Sequence, residues 1–126
     1  MAILSEERQI RKNGREWVMY KMMNDQSVDE TTSDAIDVKN AESVSLVVES
    51  SAGVSGGVVT LESAISSDYS GTWASFGSIT TSAANTVGIT GTNTASGGSL
   101  PSKYYRARIS TVITGGTVDV YILVQY

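Results

Sequence analysis

The chain has 126 residues, a length typical of one domain, and 40% of them are apolar. Charged residues make up only 17%, with 9 basic and 13 acidic side chains and a net charge of −4. This balance argues against nucleic-acid binding, which normally needs a basic surface, and the many Ser, Thr and Gly residues argue against a helical bundle.

Cysteine and histidine are both absent from the sequence. Disulfides, thiol nucleophiles, the usual zinc sites and the commonest general base are therefore excluded. No apolar run is long enough to span a membrane, and residues 1–10 lack the apolar core of a signal peptide. We expect a protein that is made in the cytoplasm and binds no nucleic acid, membrane, metal, cofactor or small-molecule substrate.

Residues 1–33 have the composition of an N-terminal arm followed by an acidic linker. Residues 5–13 (SEERQIRKN) carry the capping pattern of a short helix, and residues 17–22 (WVMYKM) suit a strand or an anchoring segment. An arm of this kind binds a neighbour through arginine and aromatic side chains. The candidate partner-binding residues are Arg8, Arg11, Arg15, Trp17, Met19 and Tyr20. The alternatives are a solvated terminus for the arginines and coverage of the domain's own core for the apolar residues.

The compact domain is predicted at residues 34–126, beginning with four strands. Period-two alternation and β-branched residues indicate these strands. They lie at residues 34–38, 43–49, 57–65 and 72–76. Val59 and Leu61 are expected to face the core, and Glu62 is expected to face solvent. Residues 77–102, rich in Ser, Thr and Gly, are predicted to form a long loop with two brief strands.

The end of the chain carries the strongest pattern, two alternating runs around Gly115-Gly116, which predicts an antiparallel hairpin. The core face of the first run would hold Tyr105, Ala107 and Ile109, and that of the second Val118, Val120, Ile122 and Val124. The continuous apolar character of residues 118–124 predicts a central strand. The opposite face of the first run, Tyr104, Arg106 and Arg108, is a candidate surface for an acidic partner. An ordinary exposed strand face is the alternative for these three residues.

These elements predict an all-β fold, an antiparallel β-sandwich of about seven or eight short strands with an extended N-terminal arm. Periodicity does not encode strand order, so jelly-roll and immunoglobulin-like topologies both remain open.

Few residues suit catalysis. A carboxylate pair could be drawn from Glu49, Glu62, Asp68 or Asp119, but solvent exposure is the better interpretation of Glu62. The acidic residues between 25 and 37 do not follow the spacing of a calcium-binding loop, and the glycine pairs do not match a phosphate-binding loop. We therefore expect no enzymatic activity.

Three segments carry a resemblance to a known group of proteins: residues 56–64 (GGVVTLESA), 70–80 (SGTWASFGSIT) and 104–122 (YYRARISTVITGGTVDVYI). The succession of G-x-V-x-L-E-x-A, G-x-W, R-A-R-[IV]-x-T and a Gly-Thr-Val strand resembles small β-sandwich virion structural proteins of tailed bacteriophages. The resemblance covers residues 43–126 and carries no catalytic residue.

The resemblance implies one of two roles. The first is a capsid decoration protein on the virion surface, bound to the major capsid protein and to other copies of itself through protein–protein contacts. The alternative is a receptor- or carbohydrate-binding module on a tail or fibre, in which Trp73 and Tyr69 would stack on sugar rings. Core packing is the competing interpretation of Trp73.

Overall fold

The computed structural model describes residues 2–10, 14–38, 41–81, 87–93 and 103–126. Within these ranges the chain forms nine β-strands and no helix, so the predicted all-β sandwich is confirmed. The strands are β1 (Ser5–Ile10), β2 (Glu16–Gln26), β3 (Ile36–Asp37), β4 (Ser43–Ser50), β5 (Gly56–Ala64), β6 (Ala74–Thr80), β7 (Val87–Asn93), β8 (Tyr104–Thr114) and β9 (Val118–Gln125).

All the strand pairs are antiparallel, and they build two sheets. One has the order β1-β2-β9-β4-β7, the other β3-β8-β5-β6. From β2 onwards the strands pair from the outside inwards: β2 with β9, β3 with β8, β4 with β7 and β5 with β6. This nested pairing is that of a jelly roll, a long hairpin rolled into two facing sheets. It decides between the two topologies that the sequence left open.

The glycine turn at residues 115–116 crosses from one sheet to the other. Because β8 and β9 belong to different sheets, the predicted hairpin is wrong. The turn bonds instead to the corner between β4 and β5: Ser55 N donates to Thr114 O (2.9 Å), and Thr117 N donates to Ser51 Oγ (3.0 Å). In a hairpin these backbone groups would bond to each other, whereas here they form hydrogen bonds with the β4–β5 corner.

The predicted core faces are confirmed. Twelve inward residues of β4, β5, β8 and β9 are each less than 2% exposed: Val44, Leu46, Val48, Val59, Leu61, Tyr105, Ala107, Ile109, Val118, Val120, Ile122 and Val124. Burying one such large apolar side chain contributes about 1.5–3 kcal/mol before the entropy cost of ordering it. β9 lies third of five in its sheet, so the predicted central strand is also confirmed.

Strand β2 and the residues that follow it up to Ser33 are part of the sandwich. β2 is an inner strand between β1 and β9, and Val18, Met22 and Met23 are fully buried. Residues 27–33 run beside β8, where Ser33 N donates to Ala107 O (2.9 Å). The structure therefore places residues 16–33 with the domain rather than in a separate arm.

Residues 5–10 form strand β1 where the sequence predicted a helix. The edge of β2 offers unpaired backbone groups to this segment, and so short a helix has little stability of its own. Within the predicted 77–102 loop, β6 extends to Thr80 and β7 runs from Val87 to Asn93. The rest of that loop, residues 82–86 and 94–102, lies outside the described residues.

Candidate functional site

A buried carboxylate organises the outer surface of the four-stranded sheet. Glu62 on β5 is 5% exposed, so its predicted exposure is wrong. Arg106 Nε donates to Glu62 Oε1 (3.0 Å), and Arg108 Nε donates to Glu62 Oε2 (2.8 Å). Both oxygens are therefore neutralised by neighbouring residues of β8. A buried charge needs partners of this kind, because desolvation without them is costly.

Further contacts tie the two arginines to their own chain. Arg108 also donates to Glu30 Oε1 (2.8 Å), and its hydrogen bond to Glu62 is the main cause that raises the pKa of Arg108. The Arg106 guanidinium carbon lies 4.1 Å from the centroid of the Trp73 ring. Trp73 is 6% exposed, and its Nε1 donates to Tyr69 O (2.9 Å). Trp73 thus packs over an arginine and is not an exposed platform for a sugar.

Tyr104, the third residue of this predicted row, is half-buried. Lys103 Nζ lies 5.3 Å from the centroid of its ring and 3.6 Å from Asp37 Oδ2. Asp37 is the main cause that raises the pKa of Lys103. Arg106 and Arg108 of this row therefore already form ion pairs within the chain. The role of Tyr104, Arg106 and Arg108 in binding a partner stays a prediction.

The arginines predicted to bind through the arm are also paired. Arg8 Nη1 lies 2.6 Å from Glu16 Oε1, and Arg15 forms an ion pair with Glu42. Arg11 lies outside the described residues. Tyr20 is half-buried against the core, and burial raises its pKa while Arg8 opposes that shift. For Tyr20 the structure supports the alternative of core coverage.

Trp17 and Met19 point away from the core. They alternate along β2 with the buried Val18, and both are half-buried. In the ladder Met19 lies opposite Leu123 of β9. The sheet continues this outward surface onto β4 and β7, where Val47 lies opposite both Tyr121 and Ile89. We call this surface the apolar face; it comprises Trp17, Met19, Val47, Ile89, Tyr121 and Leu123.

The apolar face has a charged rim. Lys21 Nζ lies 3.6 Å from Asp119 Oδ2 and 5.7 Å from the centroid of the Tyr121 ring. Four adjacent strands contribute to the face, so it is about 14 Å wide at the usual strand spacing. The sequence predicted Trp17 and Met19 as contact residues but missed Leu123, Val47 and Ile89. The sequence did contain a signal for an apolar outer surface on β9. Residues 121–124 are apolar at consecutive positions, which puts apolar side chains on both faces of this strand.

Two shallow cavities open elsewhere on the surface. One of about 430 Å³ is lined by Thr32, Ser33, Asp34, Ala35, Ser67 and Arg106. The other, of about 220 Å³, is lined by Ser63, Ala64, Ile65, Tyr69, Thr72 and Ala74. The residues that the structure describes contain no cluster of three or more Asp or Glu side chains placed to hold a metal ion. In the same part of the chain, no helix could cross a membrane.

Comparison with known proteins gives similarity of fold alone. No protein-family model matches the sequence. No curated protein matches it either. Among solved structures, the PBSX exported protein XepA is similar with a TM-score of 0.58 and 12% identity, over 82% of this chain and 36% of that one. The chain thus spans about a third of XepA.

Two further solved structures cover more of their own length. The SPBc2 prophage-derived protein YomS has a TM-score of 0.56 and 10% identity, over 98% of this chain and 97% of that one. The K2 cleaved adhesin domain of Lys-gingipain has a TM-score of 0.54 and 13% identity, over 86% and 71%. The chain shares their fold. Because one fold hosts many functions, function has to be argued from the surface of this chain.

Proposed function

We propose that this protein is a non-enzymatic structural component of a phage virion that binds the major capsid protein through the apolar face. The observation that carries the proposal is the apolar face itself, six large side chains on the outside of a sheet whose other side is already buried. The phage-derived proteins among the structural neighbours, and the resemblance of residues 43–126 to phage virion proteins, support this assignment.

The chemistry of the apolar face suits a protein partner. Contiguous apolar patches on soluble domains mark interaction sites, and the cores of protein interfaces are enriched in Trp, Tyr and Met. Trp17, Met19 and Tyr121 supply these types. The Lys21–Asp119 pair at the rim would stay hydrated and would orient the partner more than it would add affinity. The virion surface is the location that this proposal implies.

The test uses substitutions on the surface rather than a deletion of β2, because β2 contributes to the core. Purified protein is sedimented with capsids that lack it, and bound protein is measured against its free concentration. We expect saturable binding of the unchanged protein and a loss of affinity of about tenfold or more for Leu123→Glu, since a charge would enter an apolar contact.

The matched control is Val112→Glu, which also exchanges an aliphatic side chain for a carboxylate. Val112 is 45% exposed on β8, in the other sheet. The control should bind like the unchanged protein. Equal binding of Leu123→Glu and the unchanged protein would remove the apolar face from the interface. Failure of the unchanged protein to bind any capsid would favour a position on the tail or fibre.

The second candidate, a receptor- or carbohydrate-binding module on a tail or fibre, has one supporting observation. Tyr69 is 41% exposed and lines the cavity of about 220 Å³, so its ring could stack on a sugar. Trp73, the other predicted platform, is buried beneath the loop that carries Tyr69. Titration with oligosaccharides and a Tyr69→Ala variant would test this role.

A further inference from the structure

Strand β1 is an edge that the described chain does not cover. Every residue of Ser5–Ile10 is exposed, on both faces of the strand, and β1 is the last strand of its sheet. Leu4, just before it, is 50% exposed and Ile10 is 69% exposed. An open strand edge of this kind pairs readily with another strand unless charge, proline or a bulge prevents it. Residues 5–10 contain no proline, and their charged residues, Glu6, Glu7 and Arg8, are of both signs.

The direction of the unpaired backbone groups follows from the hydrogen bonds of β2. Tyr126 N donates to Glu16 O (2.9 Å), so in residues 16–21, which precede the register shift of β2, the even-numbered residues bond to β9 and the odd-numbered ones bond to β1. In the antiparallel ladder, Trp17 then bonds Gln9, and the odd-numbered residues of β1 face β2. The backbone groups of Glu6 and Arg8 therefore point to the open edge.

The opposite edge of the same sheet is different. β7 lies against β6 of the other sheet, and a Cβ added to Gly88 would sit 2.6 Å from Ile79 Cγ2. At this edge the two sheets are therefore in contact. The side with β1 extends beyond the four-stranded sheet, whose own edge strand there, β3, has only two residues.

We propose that β1 pairs with β1 of a second copy of this chain, antiparallel, across a twofold axis that passes through Glu7. A twofold axis perpendicular to the sheet leaves a given residue on the same face of the sheet in both copies. Residues directly opposite each other also lie on the same face, and side chains alternate between the faces along a strand. Two opposed residues must therefore both be even-numbered or both be odd-numbered. With the axis at Glu7, Glu6 lies opposite the partner's Arg8, and this pair occurs twice.

The neighbouring registers are worse. An axis at Glu6 would place Glu6 opposite the partner's Glu6. An axis at Arg8 would place Arg8 opposite the partner's Arg8. Like charges directly opposite each other destabilise a strand pair, whereas opposite charges and apolar pairs stabilise it. The register at Glu7 has one unfavourable pair, Glu7 with its own copy, on the axis.

The second copy would join the two five-stranded sheets into one of ten strands. Because the axis is perpendicular to the sheet, the two apolar faces would lie on the same side of it. The pairing does not depend on the proposed function, but it would present two capsid-binding surfaces together. Two linked contacts bind a lattice more tightly than one.

A single cysteine tests the register, since the chain has no cysteine of its own. Glu7 faces its own copy in a pair without hydrogen bonds, where the Cα atoms lie about 4.5 Å apart, close enough for a disulfide. We expect Glu7→Cys to form a disulfide-linked dimer under mild oxidation. The control Gln9→Cys lies on the same face of the strand but opposite the partner's Ser5, and it should form little disulfide-linked dimer. Equal cross-linking of the two variants would overturn the register.

Charge reversal tests the pairing without any covalent bond. Glu6→Arg alone would oppose arginine to arginine, and Arg8→Glu alone would oppose glutamate to glutamate. In analytical ultracentrifugation each variant should dimerise at least tenfold more weakly than the unchanged protein. An equimolar mixture should dimerise again, because both contacts then join opposite charges. A mixture that stays as monomeric as its components, or an unchanged protein that stays monomeric at every concentration, would overturn the proposal.

Discussion

Glu62 of β5 lies directly opposite Arg106 of β8, and the Arg106 Nε donates to the Glu62 Oε1 over 3.0 Å. The second oxygen of Glu62 accepts from Arg108, 2.8 Å away. One buried carboxylate thus holds two consecutive outward arginines of β8. This arrangement fixes the relative position of two strands whose remaining outward contacts are mostly hydroxyl groups, such as Thr60 with Ser110 (2.8 Å).

Glu62→Gln should destabilise the fold. The amide keeps the size of the side chain but removes the charge that both arginines share, so we expect the free energy of unfolding to fall by about 2 kcal/mol. Urea unfolding followed by circular dichroism measures the change. The control Glu30→Gln breaks an ion pair whose carboxylate is 70% exposed, and it should cost no more than about 0.5 kcal/mol. Equal losses for the two variants would contradict the central role of Glu62.

Tyr105→Phe should be neutral or stabilising by up to about 1 kcal/mol. Tyr105 is fully buried, and within the described part of the chain its hydroxyl has no hydrogen-bond partner. Removing an unpaired buried hydroxyl relieves its desolvation penalty, while the ring still packs against Phe76 at a centroid distance of 5.5 Å. Urea unfolding at neutral pH checks this. A loss of more than about 1 kcal/mol would indicate that the hydroxyl is bonded.

The same variant should change stability at alkaline pH. Burial raises the pKa of Tyr105 above its ordinary value of 10.0, and the nearby Ser63 hydroxyl opposes this shift to a smaller extent. The protonated form is therefore favoured by folding, so its contribution is complete below pH 10 and is lost as the pH rises through the raised pKa. We expect Tyr105→Phe to lose less stability than the unchanged protein between pH 9 and pH 11. An identical pH dependence would count against the raised pKa.

Gly115→Ala should destabilise far more than Gly14→Ala, although both glycines have φ of +81°. A Cβ on Gly115 would collide with the carbonyl oxygen of Gly53, whereas a Cβ on Gly14 would meet no atom of the described residues within 4 Å. Gly14→Ala carries only the left-handed backbone cost, about 1 kcal/mol. Gly115→Ala adds the displacement of the β4–β5 corner, for a total of about 3 kcal/mol. Thermal unfolding measures the stability of both variants. Similar losses of stability would show that the turn at residues 115–116 does not pack against the β4–β5 corner.

Deletion of residues 1–33 should prevent folding, whereas deletion of residues 1–10 should not. The longer deletion removes Val18, Met22 and Met23 from the core and leaves one side of β9 unpaired. The shorter deletion removes only β1, which is exposed throughout. Heteronuclear NMR spectra of the two products distinguish these outcomes. A well-dispersed spectrum from the longer deletion would show that β2 is dispensable.

The amino-acid sequence determined where most strands lie and which face of each is buried. Tyr105, Ala107 and Ile109 alternate with Arg106, Arg108 and Ser110, and this period of two is a local property of an extended chain. The central position of β9 was equally visible, because a strand buried between neighbours carries apolar residues at consecutive positions.

Only the tertiary structure decided which strands pair. The glycines at 115–116 have the chemistry of a hairpin turn, but β8 and β9 each pair with strands that are distant in the sequence. The alternation of the strand predicts that Glu62 is exposed. It is buried because Arg106 and Arg108, which lie 44 and 46 positions later in the sequence, neutralise its charge. Periodicity reports which side of a strand a residue occupies. What covers that side depends on contacts between segments far apart in the chain, which no local pattern encodes.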